Sequence, residues 1–179
     1  QAFAGLYDRY NRRLLNYFHR MLWQDREMAQ DYLQDLFTKL AQRPESYDPA
    51  RPFQTWMFSV ANNICKNAYR HNEVVRAAAV HLRNGTDREE AKGGVGVDRE
   101  LFRGRLDEEL DKLDPDHKAT FVMRFHEDMA IKEIAAAFAC SEGTVKSRLF
   151  YTLKKLAERL KEFDPKALIP NGTARTIRS

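Results

Sequence analysis

An all-α chain built as two small helical domains is what this sequence predicts. Helix-forming Leu, Ala, Glu, Lys and Arg dominate, against only 8 Gly and 6 Pro in 179 residues. Apolar residues recur at spacings of three and four along most of the chain, the period of an α-helix with one buried face. The pattern breaks at Pro44, Pro49 and Pro52, and again at the run Gly93-Gly94-Val95-Gly96. Those breaks cut the chain into helices and place a linker between two domains.

The elements follow in order. Phe3, Leu6, Tyr7, Tyr10, Leu14, Phe18 and Leu22 trace a first helix. Asp25 has the chemistry of an N-cap, and Met28, Tyr32, Leu33, Leu36, Phe37 and Leu40 form the stripe of a second helix. Residues 43–52 read as a Pro-rich loop. Phe53 opens a third helix carrying Trp56, Met57, Val60, Ala61, Ile64, Cys65 and Ala68 on its apolar side. These helices delimit a first domain at residues 1–72. Residues 73–97 read as a flexible linker. Periodicity returns with Leu101, Phe102, Leu106, Leu110 and Leu113, and Asp114-Pro115 has the cap and first-turn proline of a helix start. The second domain spans residues 98–163, and the tail 164–179 reads as extended.

A helix-turn-helix stands out in the second domain. Ile131, Ile134, Ala135 and Phe138 give a short first helix a core face, and its alanines allow close approach. Ser141 is a natural N-cap for a second helix whose stripe is Val145, Leu149, Leu153, Leu156 and Leu160. Residues 143–162 hold six Lys or Arg against two Glu, a balance equal to the +4 of the whole chain. A basic helix face behind a tight turn suits the major groove of DNA. Within it, Thr144, Lys146, Ser147, Arg148, Phe150 and Tyr151 occupy the start of the recognition helix.

Two further faces carry chemistry. Asp31, Gln34 and Asp35 are neighbours on the second helix, with Phe37 beside them; the face reads as a solvated acidic surface or as a docking site for a basic partner. The third helix is amide- and cation-rich, with Asn62, Asn63, Lys66, Asn67 and Arg70. Amides read base edges and cations hold phosphates, while Tyr47, Arg51 and Phe53 of the loop could contact a displaced base.

Taken in order, Asp31-Tyr32-Leu33-Gln34-Asp35-Leu36-Phe37, Trp56-Met57 with Asn63 and Arg70, and Gly143-Thr144-Val145-Lys146-Ser147-Arg148-Leu149 resemble a bacterial RNA polymerase sigma factor of the extracytoplasmic function (ECF) group, sigma-70 family. The resemblance covers residues 3–162. It implies a sigma-2-like domain that binds the polymerase clamp helices through Asp31, Gln34, Asp35 and Phe37, and the −10 element through Tyr47, Arg51, Asn63, Lys66, Asn67 and Arg70. It implies a sigma-4-like domain that binds the −35 element through Thr144, Lys146, Ser147, Arg148, Phe150 and Tyr151, and meets the polymerase flap. An anti-sigma factor is a further implied partner. The family often has Asp where this chain has Asn67, and Arg-Ala where it has Tyr151-Thr152. An Arg at the first of those two positions commonly touches DNA.

Two other classes compete. A helix-turn-helix repressor or activator that never joins polymerase would share the second domain. An enzyme is disfavoured: the five His are scattered, and neither a Gly-rich phosphate loop, a Cys/His metal set nor a nucleophile with a base is present in the sequence. No catalytic residue, metal or cofactor is therefore expected. The absence of an apolar run near the roughly 18 residues of a membrane span predicts no membrane insertion. Cys65 and Cys140 read as buried free thiols of a reducing cytoplasm, with nucleoid association when the factor is active.

Overall fold

The computed structural model describes residues 2–80 and 97–161; most of the linker and the C-terminal tail lie outside the described residues. The described residues form α1 (Ala2–Met21), α2 (Arg26–Gln42), a 3-10 turn (Pro44–Ser46), α3 (Phe53–Val80), α4 (Val97–Asp111), α5 (Pro115–Phe125), α6 (Ile131–Phe138) and α7 (Glu142–Arg159). Helix α3 runs on to Val80, past residue 72.

Helix starts follow from local chemistry. The Asp25 carboxylate accepts the Met28 N–H, Asp114 accepts the Asp116 N–H ahead of Pro115, and the Ser141 hydroxyl accepts the Thr144 N–H. Ala130 has no side-chain acceptor, but the Glu133 carboxylate reaches back to its N–H at 2.8 Å, half of a capping box. Helix α6 stops at Ala139, which adopts φ 50°, a left-handed cap more often filled by Gly. The turn from there to Ser141 holds α6 and α7 as a helix-turn-helix. Cys140 lies in this turn and is half-buried; Cys65 is fully buried in α3, and both thiols are free.

The expected two helical units are present, but they do not stand apart. The core of α1–α3, with Leu14, Tyr17, Phe18, Met57, Phe58 and Ala61, runs without a break into Ala119, Val122, Met123, Met129, Ile134 and Val145 of α5–α7. A second, smaller core joins Phe102, Leu110 and Leu113 to Phe121, Leu156 and Leu160. The physical reason is the width of the apolar faces. Tyr17 and Met21 on α1 and Phe58 on α3 lie outside the single stripes of the sequence pattern, yet are 0–1 % exposed.

Polar groups fix the register of that contact. Arg13 of α1 donates to the Glu127 carboxylate and to its backbone carbonyl, both at 3.0 Å, and its guanidinium sits over the Phe58 ring. Lys118 is 2 % exposed. Its ammonium meets Asp111 at 2.6 Å, the Met21 carbonyl at 3.3 Å and the Tyr69 hydroxyl at 3.5 Å. The Tyr69 hydroxyl also donates to the Met21 carbonyl. A buried ammonium is tolerated only with such partners.

Candidate polymerase and nucleic-acid interfaces

Helix α7 presents one face to solvent by burying the opposite one. Val145, Leu149, Thr152 and Leu156 are buried. Lys146, Ser147, Phe150, Tyr151 and Lys154 are exposed on adjacent turns, while Thr144 is half-buried at the first turn. Phe150 and Tyr151 are 63 % and 59 % exposed, with ring centroids 5.4 Å apart. Thr152 was on no sequence-derived stripe; it is buried because its hydroxyl lies 3.1 Å from Nδ1 of His117 on α5.

Arg148, expected at the −35 element, is held within the protein. Its Nη2 donates to Asp116 at 2.6 Å, and its guanidinium lies over the Phe138 ring. The other oxygen of Asp116 lies 2.8 Å from the Lys66 ammonium of α3. One carboxylate thus holds a cation from each of α3 and α7. Burial raises the Asp116 pKa, but Lys66 and Arg148 outweigh it and hold the carboxyl below its ordinary value. Nothing in the sequence marks Asp116, which resembles any acid in a first helical turn.

On α3, Asn63, Asn67 and Arg70 are exposed and share the face that carries Lys66. Asn62 is not part of that face: it is 3 % exposed, and its side-chain oxygen accepts from the Tyr17 hydroxyl at 3.3 Å. In the loop, Tyr47 packs between Phe53 and Trp56, with ring centroids 5.2 and 5.3 Å away. Its hydroxyl donates to the Arg51 carbonyl at 2.9 Å, and the Arg51 guanidinium pairs with Asp48. The loop is a preformed aromatic platform with Arg51 exposed at its edge.

On α2, Asp31, Gln34 and Asp35 are exposed and adjacent, whereas Phe37 is 4 % exposed. Phe37 belongs to the core, as its place on the α2 stripe predicts, and the ring of Tyr7 of α1 lies tilted against it at 4.8 Å. Tyr7, itself exposed, joins Gln34 and Phe37 in lining an open groove of about 590 Å³. Sequence reasoning placed Tyr7 on the α1 core stripe and missed it here. Among the described residues no cluster of His, Cys, Asp or Glu could hold a metal, and no helix is long and apolar enough to cross a membrane.

Comparison with known proteins matches this geometry to one family. Residues 6–89 match the sigma-70 region 2 model and residues 110–158 the sigma-70 region 4 model. The chain is 30 % identical over 163 residues to RNA polymerase sigma factor CarQ of Myxococcus xanthus, covering 91 % of each chain. It is likewise 30 % identical over 159 residues to the ECF sigma factor SigL of Mycobacterium tuberculosis, covering 88 % of each. Its fold is similar to the sigma factor RpoE of Bartonella quintana in complex with the anti-sigma factor NepR (TM-score 0.66, 19 % identity, 89 % of this chain and 97 % of that one). It is similar in the same way to CnrH in complex with the cytosolic domain of CnrY (TM-score 0.66, 23 % identity, 91 % and 90 %). The chain belongs to the sigma-70 family of bacterial RNA polymerase sigma factors, in its extracytoplasmic function group.

Proposed function

We propose that this sigma factor divides promoter recognition among three surfaces. The exposed turn Asp31, Gln34 and Asp35, with the Tyr7–Phe37 groove beside it, docks on the polymerase clamp helices. The α3 face of Asn63, Lys66, Asn67 and Arg70 and the Tyr47–Arg51 loop hold the melted −10 strand. The α7 face, from Thr144 to Lys154, enters the major groove at −35. The observation that carries this is the outward face of α7, where cations and aromatic rings stand on a helix anchored by four buried residues. Cations fix the register on phosphates and the groups between them contact base edges. Residues 1–72 and 98–163 act as the two units, tethered so that spacer length matters. Helix α4 and the polymerase flap complete the second unit's contacts. No chemistry of its own is assigned to the chain; polymerase makes the bonds. It works in the bacterial cytoplasm and, when active, on the nucleoid. The complexes of RpoE with NepR and of CnrH with CnrY support an anti-sigma partner here.

Run-off transcription with core polymerase on a randomised promoter library tests the reading. A recurring bipartite promoter is the expected result. The triple substitution of Asp31, Gln34 and Asp35 by Ala should abolish core binding while leaving the fold intact; undiminished core binding would instead favour a DNA regulator that does not act as a polymerase subunit.

A further inference from the structure

The recognition helix carries an apolar feature that phosphate binding does not use. Among the described residues only four large hydrophobic side chains are exposed, and two of them, Phe150 and Tyr151, are adjacent on α7. Their rings meet edge to face, at 78° and 5.4 Å, the arrangement favoured by aromatic quadrupoles. The pair is rigid at its base. Thr152 is buried and tied to His117, and Leu149 is buried on the other side, so the backbone under the rings cannot roll. Exposed Lys146, Lys154 and Lys155 frame the rings on the same helix.

A cationic frame around an apolar centre matches one surface in duplex DNA. The major groove has phosphates along its rims, and its floor offers one apolar group, the thymine 5-methyl. An Arg in place of Tyr151 would present a fork of donors to guanine N7 and O6. A phenol cannot make that bidentate contact, and the Phe150 ring has no donor at all. We infer that Phe150 and Tyr151 read thymine 5-methyl groups, so that the −35 element of this factor contains A·T pairs opposite the ring pair. This rests on the promoter-reading function proposed above and specifies the chemistry that α7 selects.

The experiment uses holoenzyme assembled from the full chain and core polymerase, on the best promoter recovered from a randomised library. Thymines of the −35 element are replaced by deoxyuridine, which removes the methyl and nothing else. Affinity should fall about fourfold per contacted methyl, the worth of one buried CH₂ group. Deoxyuridine in the spacer should have no effect. In holoenzyme carrying Phe150→Ala and Tyr151→Ala, the −35 deoxyuridine penalty should vanish, because the partner is gone. Tyr151→Arg should enrich guanine at the facing position of the library. Both rings are exposed, so the variants should melt with the parent.

Equal binding of thymine and deoxyuridine promoters by the parent overturns the inference. So does a selected −35 element without A·T pairs, or a ring-deleted holoenzyme that keeps full promoter affinity, which would give the rings to a protein partner. Failure to recover any promoter from the library refutes the broader function; recovery of a promoter indifferent to the methyl refutes the methyl reading alone.

Discussion

Replacing Asp116 with Asn should loosen the closed packing and release two cations at once. The carboxylate holds Arg148 at 2.6 Å and Lys66 at 2.8 Å, with side chains 21–35 % exposed across the three groups. Partly exposed ion pairs contribute less than 1 kcal/mol each, and charge-assisted hydrogen bonds somewhat more. Arg148 and Asp116 both lie in the second unit, so only the Lys66–Asp116 pair crosses between the units, and it favours their packing by up to about 1 kcal/mol, a factor of up to about 5. Asn keeps the shape and removes the charge. It also removes an acid from the first turn of α5, which costs about 0.3–1 kcal/mol of helix stability, so melting temperature is the wrong readout. Energy transfer between labels on Glu27 of α2 and Ala157 of α7, with Cys140→Ser, reports opening directly. The second readout is duplex binding by free protein. With Arg148 released from Asp116, affinity should rise and the salt slope steepen by about one, the worth of one phosphate contact. At neutral pH the clasp is fully formed. Because the folded Asp116 pKa is lowered, its contribution is present above the unfolded value and is lost as pH falls through the folded one, below about pH 4. An unchanged transfer distribution together with an unchanged salt slope would refute the clasp.

Three further outcomes are expected. His126 is half-buried with Nε2 unpartnered, and burial, aided by Arg20, lowers its pKa to about 4. Unfolded chains bind that proton first, so stability should be complete above about pH 6.5 and decline towards pH 4, by on the order of 2 kcal/mol; His126→Gln should flatten this part of a denaturant-midpoint profile. Phe58 is fully buried between the Tyr17 ring and the Arg13 guanidinium, so Phe58→Ala should cost about 3–5 kcal/mol in urea unfolding. Lys146 is exposed on the recognition face, so Lys146→Ala in holoenzyme should lower the salt slope of promoter binding by about one at nearly unchanged stability.

What sequence made legible was local. Caps at Asp25, Asp114 and Ser141 act within one turn, and each starts a helix in the structure. The helix-turn-helix was legible because its apolar stripe and its turn lie within thirty residues, as the structure has them. The misassignments were long-range. Asn62 sits on a polar stripe by spacing, yet Tyr17, 45 residues away, satisfies it inside the core. Tyr7 falls on the α1 core stripe by spacing, yet it is exposed and lies against Phe37 of α2. Arg13 and Glu127 are 114 residues apart and look like ordinary surface charges until both helices are packed. Thr152 breaks an apolar period, and only His117 explains it.

The interface between the two units combines apolar contacts that give strength with polar contacts that give register. Its apolar part includes Met57, Met123 and Met129, side chains flexible enough to repack against a new surface. Its polar part is made of groups that water can satisfy. On separation, Lys118 loses the Met21 carbonyl and the Tyr69 hydroxyl but keeps Asp111, which lies in its own unit. Arg13 loses Glu127 but keeps Gln54. A buried ion pair of this kind adds little net stability, because desolvation offsets its attraction, while it strongly penalises misregister. Opening therefore exposes few charges without a partner, and its cost falls mainly on the shared apolar core.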